Sequence, residues 1–273
     1  MKVTFIGGGN MASAIIGGLV SRGTSAGDVR VVEPFAPQRE RLAARFAGIG
    51  VHSVSGATAV AGADLVVFAV KPQQMREAAA ALAPHIDAVP LVLTIAAGVR
   101  CADLSRWLGG YRRIVRAMPN TPALVGAGIS ALYAAPESRD ASEAAARVLE
   151  ACGEVTWCER ERDLDAVTAV SGSGPAYVFY FLEALEQAAI ELGLPAGEAR
   201  RLAYATFEGS MRLARASSDP PATLRANVTS KGGTTARALD VLNAENVAAH
   251  FIAAVKAAAA RATELGDEHS KAR

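Results

Sequence analysis

Short runs that are apolar on both faces recur through the first half of the chain. They are VTFI (3–6), VRVV (29–32), DLVVFAV (64–70), PLVLTIA (90–96), RIVRAM (113–118) and GISALY (128–133), separated by Ala-rich stretches of helical character. A strand apolar on both faces must be covered on both faces. Strands of that kind joined by helices build a parallel sheet between two helical layers. The pattern predicts a doubly wound α/β fold. One more helix is expected between Pro136 and Cys152, then a short strand at EVTWC (154–158).

From Asp163 onward no further strand is expected. A long helix is predicted over 175–193, opened by Pro175 and stopped by Gly193 and Pro195. A second follows from Ala196 to about Ala216, and two more come after NVTSKGGTT (227–235). The last is expected to run from Val247 to Leu265, leaving the polar tail GDEHSKAR (266–273) frayed. The boundary falls at Glu159–Asp165, giving domains of residues 1–160 and 161–273. Between Ala176 and Leu185 only Glu183 is charged, so this helix is apolar around most of its circumference and is expected to be buried on all sides. It can be buried inside its own domain or in a symmetric interface between two copies, and the interface is the expected use.

Composition removes several alternatives. Half of the 273 residues are apolar and the net charge is +1, which supplies no field for nucleic acid or an anionic membrane. The three cysteines form no CxxC pair and the four histidines are widely spaced, so no metal site is expected. The start of the chain reads as strand and turn rather than as a signal peptide, and no apolar run approaches a membrane span. A reduced, cytoplasmic protein is expected.

The strongest local motif is FIGGGNMA (5–12). Ile6 ends a strand, Gly7, Gly9 and Ala12 stand in G-x-G-x-x-A spacing, and Asn10 and Met11 open a helix. The spacing predicts dinucleotide binding, where a structural glycine turn is the alternative. The first glycine permits the tight turn, the second lets backbone approach a pyrophosphate, and Ala12 lets the helix pack close to the sheet. Glu33 ends the next strand, where an acid accepts from the adenosine ribose 2′-OH and favours NAD; Arg39 or Arg41 is placed to receive a 2′-phosphate instead. Ligands of such sheets lie beyond the carboxyl ends of the strands. That places Ala69, Val70, Lys71 and Pro72 of FAVKP, Ala97 and Gly98 of AAG, and Asn120 of the rigid MPNTP loop on the ligand side.

One more stretch stands out. NVTSKGGTTARALDVL (227–242) leads into a helix with four hydroxyl side chains and two glycines, where helix entry needs one capping hydroxyl.

Together FIGGGNMA, FAVKP, RIVRAMPNTP, AVSGSGPAYVFYFLEAL and NVTSKGGTTARAL resemble the pyrroline-5-carboxylate reductases, in order from residue 2 to about residue 265. The resemblance implies a Rossmann-type doubly wound sheet followed by an all-α dimerisation domain, and a homodimer or a larger homo-oligomer built from dimers. It implies reduction of (S)-1-pyrroline-5-carboxylate to L-proline with NADPH or NADH. It also implies that Ser230, Gly232, Gly233, Thr234 and Thr235 bind the substrate together with Asn120, with Thr235 as the catalytic residue near the imine nitrogen. A helix start with bare glycine backbone and several hydroxyls suits a small carboxylate. Direct hydride transfer to a protonated imine needs positioning more than strong acid catalysis, in keeping with a site without histidine. One departure concerns the loop before the LVVF strand: VSGAT has Gly56 where many family members carry Asn, which with Glu33 leaves the NADPH or NADH preference open.

Two rival readings remain. A β-hydroxyacid dehydrogenase would look to a lysine in the first long helix of the second domain, and residues 163 to 230 contain none. A non-catalytic nicotinamide dinucleotide-binding protein would leave the donor-rich loop without a purpose.

Overall fold

The structure, a computed structural model, describes residues 1–271. The chain runs β1 (Val3–Ile6), α1 (Asn10–Ser21), β2 (Val29–Val32), α2 (Ala36–Arg45), β3 (Gly50–His52), α3 (Ala57–Val60), β4 (Leu65–Phe68) and α4 (Pro72–Leu82). It continues with β5 (Val92–Thr94), α5 (Cys101–Trp107), β6 (Ile114–Met118), β7 (Gly128–Ala134), α6 (Ser142–Glu150) and β8 (Gly153–Trp157). Helices α7 (Asp163–Val167), α8 (Gly174–Glu191), α9 (Ala196–Ala216), α10 (Pro221–Asn227), α11 (Thr234–Ala244) and α12 (Val247–Lys271) complete it. A π-helical turn, Thr168–Gly172, joins α7 to α8.

The strands form one sheet in the order β3-β2-β1-β4-β5-β6-β7-β8. Alternation sends Val3 and Phe5 of β1 into one core with Ile15, Ile16 and Leu149, and Ile6 into the other with Met75, Leu82 and Leu104. Each large side chain fully buried this way contributes roughly 1.5–3 kcal/mol. The sheet is therefore covered on both faces, as the double-sided apolar strands require. The polar exception in β1, Thr4, donates its hydroxyl to Ala59 O at 2.7 Å.

Three features depart from the sequence pattern. Strand β3 is short and half-buried, so it carries no apolar signature. The pairing of β6 with β7 is antiparallel, whereas the other pairings are parallel. The link between those two strands holds only the 3-10 helix Thr121–Val125, and a parallel crossover needs a longer connection. Finally, the tail expected to fray is helical through Lys271, while Ala272 and Arg273 lie outside the described residues.

The chain divides into two compact units: residues 1–173 together with the chain from Ala257 onward, and residues Gly174–Lys256. In the second unit α8 packs along α9, and Arg200 pairs with Glu186 at 3.0 Å. The rings of Tyr177 and Phe181 meet Phe251 edge-on, with centroids 5.7 and 5.6 Å away. Helix α8 has no buried residue, and Phe179 and Tyr180 are 63% and 68% exposed. Burial of α8 inside its own domain is thus not what the single chain provides. Among the described residues no helix is long and apolar enough to cross a membrane.

Candidate functional site

The turn after β1 can be built only from glycine. Gly7 has φ +97°, and a Cβ there would stand 2.8 Å from Val70 Cγ1 and 2.9 Å from Ala69 O. Its NH donates to Val32 O at 2.8 Å, and Ala69 NH donates to Ile6 O at 2.8 Å, so the turn is bonded to both neighbouring strand ends. Gly9 differs. It caps α1 without a side-chain hydrogen bond, and a Cβ on it would meet no atom within 4 Å. No protein contact excludes a side chain there. The first intrahelical donor of α1 is Ser13 NH to Gly9 O at 2.9 Å, which leaves the NH groups of Asn10, Met11 and Ala12 without intrahelical acceptors. A bare helix start beside vacant space is the cradle a pyrophosphate needs.

A cavity of about 480 Å³ opens here, lined among others by Gly7, Gly9, Glu33, Ser53, Ser55 and Lys71. Its Gly-rich floor suits the approach of a dinucleotide's phosphates. Glu33 is fixed on its rim: Oε2 accepts from Gly8 NH at 3.0 Å and Oε1 from Phe35 NH at 2.9 Å. Arg39 donates Nη1 to the carbonyls of Glu33 and Pro34 at 2.9 and 2.6 Å. Lys71 is exposed and extended (ψ 148°) as the residue preceding Pro72, which occupies the first turn of α4. Ile6, Ala69 and Val70 also line the cavity; Ala97 and Gly98, in the turn after β5, are not among its lining residues.

Gly98 faces the end of α12 instead. A methyl on it would come within 3.2 Å of His269 Cδ2 and 3.4 Å of Leu265 Cβ. The same helix end is tied down by Arg100 to Asp267 at 2.7 Å and by Ser270 Oγ donating to Asp103 at 2.5 Å. These contacts order the tail that its polarity marked for fraying. They were invisible in sequence because each joins residues far apart in the chain.

Asn120 is buried, and its amide is engaged at both ends. Nδ2 donates to Ser171 O at 3.1 Å, and Oδ1 accepts from Ile129 NH at 3.0 Å. The structure therefore gives Asn120 a bracing position between the MPNTP loop, β7 and the π-helical turn. Elsewhere in the same unit lies a residue that sequence reasoning missed. Arg116 of β6 is 3% exposed and reaches Glu161 at 3.3 Å and Asp165 at 3.4 Å. A charge inside an apolar strand was its only signal. Glu161 also accepts from Cys101 NH at 2.7 Å. Burial, with Glu161 adding to it, pushes the Cys101 thiol well above its ordinary pKa, so it is not a poised nucleophile. Among the described residues no cluster of His, Cys, Asp or Glu could hold a metal ion.

The donor-rich loop lies in the second unit, between α10 and α11. Thr229 closes α10, donating its hydroxyl to Arg225 O at 2.6 Å and its NH to Ala226 O at 3.0 Å. Gly232 has φ +72°, and Gly233 NH returns to Ser230 O at 3.0 Å, so the backbone doubles back before α11. Gly233 is the N-cap of α11 and has no side chain to cap with, and among the described residues no side chain hydrogen-bonds that first turn. The hydroxyls of Ser230, Thr234 and Thr235 therefore do no capping, and the NH groups of Thr234, Thr235 and Ala236 have no intrahelical acceptor. Converging NH and OH donors at a positive helix end can hold a small carboxylate.

Known proteins are similar to this chain along nearly its whole length. Residues 161–265 match the family model for pyrroline-5-carboxylate reductase dimerisation, and residues 2–98 match that of the NADP oxidoreductases described as coenzyme F420-dependent. The pyrroline-5-carboxylate reductase of Pseudomonas aeruginosa is 45% identical over 268 residues, 98% of this chain and 97% of that protein. Among solved structures, a pyrroline-5-carboxylate reductase from Coxiella burnetii matches with TM-score 0.89 at 38% identity, over 97% of this chain and 98% of that one. The Plasmodium falciparum pyrroline carboxylate reductase with NADP bound matches with TM-score 0.86 at 28% identity, over the same shares. A doubly wound sheet with a Gly-lined cavity, a helical region that fits the dimerisation model and identity along nearly the whole length lead to one assignment: the chain belongs to the pyrroline-5-carboxylate reductase family.

Proposed function

We infer that the chain, as a member of this family, is an oxidoreductase that reduces (S)-1-pyrroline-5-carboxylate to L-proline with NADPH or NADH, the final step of proline synthesis. Within that reaction we assign substrate recognition to Ser230, Gly232, Gly233, Thr234 and Thr235. The observation that carries the assignment is the start of α11, where three hydroxyls and three NH groups stand beside a glycine cap that uses none of the side chains.

Each residue has a physical task. The NH groups of the first turn and the hydroxyls of Ser230 and Thr234 receive the carboxylate, helped by the partial positive charge of the helix start. The glycines keep the backbone bare for its approach. Thr235 donates a hydrogen bond to the ring nitrogen as that nitrogen gains electron density. The reduced nicotinamide, when bound, supplies the hydride that the imine carbon accepts. The protonated imine is already an electrophile, so this site needs to orient it rather than activate it strongly. Cofactor binding belongs to Ile6, Gly7, Gly9, Asn10, Met11, Ala12 and Glu33 around the first turn, with Ala69, Val70, Lys71 and Pro72 after β4; Ala97 and Gly98 after β5, outside the cavity, hold this role on the family resemblance and their place at a strand end alone. Asn120, expected from the resemblance to bind substrate, braces the MPNTP loop against β7 and the π-helical turn.

The dimerisation and substrate-binding role is assigned to residues 161–273 and the dinucleotide-binding role to residues 1–160. The exposed apolar surface of α8 suits a homodimer interface, from which larger assemblies can be built. The compartment that fits is the cytoplasm, where reduced nicotinamide cofactors are available. Purified protein should oxidise NADPH or NADH only when pyrroline-5-carboxylate is supplied. Oxidation independent of that imine, or none in its presence, refutes the reading.

A further inference from the structure

The cavity beside the glycine turn holds a fixed negative charge at one place. We propose that Glu33 makes this reductase select NADH over NADPH, accepting the adenosine ribose hydroxyls and repelling a 2′-phosphate. The proposal rests on the cofactor site assigned above.

Three observations carry it. The carboxylate is held in one orientation by two backbone donors on different segments, Gly8 NH at 3.0 Å and Phe35 NH at 2.9 Å. A side chain tethered at both oxygens cannot swing aside for a phosphate. Each oxygen nevertheless keeps a second lone pair, enough to accept from a ribose hydroxyl. Next, the arginine best placed by sequence to neutralise a 2′-phosphate is engaged elsewhere, because Arg39 donates to the carbonyls of Glu33 and Pro34. Arg41 is exposed and is not among the residues lining the cavity. Lastly, the lining residues include Glu33 and Glu77 but only one cation, Lys71, which lies beyond β4 rather than β2. The loop before α3 brings the hydroxyls of Ser53 and Ser55 and, at Gly56, no side chain.

A 2′-phosphate placed here would gain two neutral hydroxyl donors and face a carboxylate that cannot move. Juxtaposed like charges outweigh neutral hydrogen bonds, so the discrimination is repulsive in origin. It should therefore shrink as salt rises.

The test is direct binding, measured on the full-length protein by nicotinamide fluorescence without substrate. Wild type should bind NADH at least about tenfold more tightly than NADPH at low salt. Glu33→Ser should remove or invert that ratio, mainly by tightening NADPH. Glu33→Gln, which keeps one acceptor and loses the charge, should give an intermediate ratio. Melting temperatures establish that both variants are folded. Equal or tighter binding of NADPH by wild type overturns the proposal. So does a ratio unchanged in both folded variants, or an equal loss of both cofactors, which would make Glu33 only a pin for the glycine turn. If neither cofactor binds wild type, the cofactor site itself falls with the proposal. If binding follows the expected pattern but pyrroline-5-carboxylate is not reduced, the preference stands and the reaction assignment falls.

Discussion

Asn120 and Ser171 are joined by a hydrogen bond from the Asn120 amide to the Ser171 carbonyl at 3.1 Å, across 51 residues of sequence. Ser171 lies in the π-helical turn Thr168–Gly172, and such turns recur at functional sites. Since the other end of the same amide receives Ile129 NH at 3.0 Å, one side chain braces the MPNTP loop against both segments. Asn120→Ala should cost about 1–3 kcal/mol of stability by leaving both partners unpaired. Asn120→Asp should destabilise at neutral pH, because a carboxylate oxygen would then face the Ser171 carbonyl. It should recover part of that loss as acid protonates the new carboxyl and restores a donor. Melting curves of the two variants against pH check this; identical pH profiles would show that the bond to Ser171 is unimportant.

The glycines of the first turn should separate into a folding position and a binding position. Gly7→Ala introduces a Cβ at φ +97° within 2.9 Å of the Ala69 carbonyl, so it should destabilise by about 1–3 kcal/mol. Gly9→Val meets open space at its Cβ, so it should melt close to wild type yet bind dinucleotide at least about tenfold more weakly. Differential scanning fluorimetry and a cofactor titration distinguish the two. Near-normal cofactor affinity in folded Gly9→Val would remove this turn from the binding site.

Helix α8 exposes Phe179 and Tyr180 at 63% and 68% in the single chain. If two copies cover this surface, Phe179→Asp would bury an unpaired charge between them and should convert the dimer to monomer. Sedimentation velocity at micromolar concentration reads the outcome. Wild type running as a clean monomer would exclude the interface.

At the donor-rich loop, two substitutions test two tasks. Thr235→Ala removes one hydroxyl that caps nothing, so stability should hardly change, while kcat/KM falls about 10- to 100-fold, equivalent to about 1–3 kcal/mol. A Cβ on Gly233 would collide with the Ser230 hydroxyl, so Gly233→Val should displace that donor and block the carboxylate. Its substrate KM should rise steeply while cofactor affinity holds. If both variants keep wild-type kcat and KM when folded, the loop serves only as a helix entry.

Much of this protein is written locally. Residues 3–12 announce strand, turn and helix because glycine spacing and apolar runs act within a few residues of each other. The doubly wound sheet follows from strands apolar on both faces, and the all-helical character after Asp163 follows from helical periodicity without β-rich runs. The unusual chemistry of residues 230–235 is equally visible, because too many donors precede one helix.

Tertiary structure decided what depends on distant partners. Arg116 is tolerable inside β6 only because Glu161 and Asp165 reach it from beyond β8. The last turns of α12 are ordered because Arg100 and Asp103 receive Asp267 and Ser270, more than 160 residues later. The antiparallel β6–β7 pair was decided by a connection too short for a crossover, and β3 by pairing alone, since its three residues carry no pattern. Glu33 shows the division most clearly. Its place at the end of β2 could be read from spacing, but the orientation of its carboxylate depended on Gly8 NH and Phe35 NH. Periodicity records which face of an element is apolar; it does not record which distant donor meets a polar atom, and those meetings complete the site.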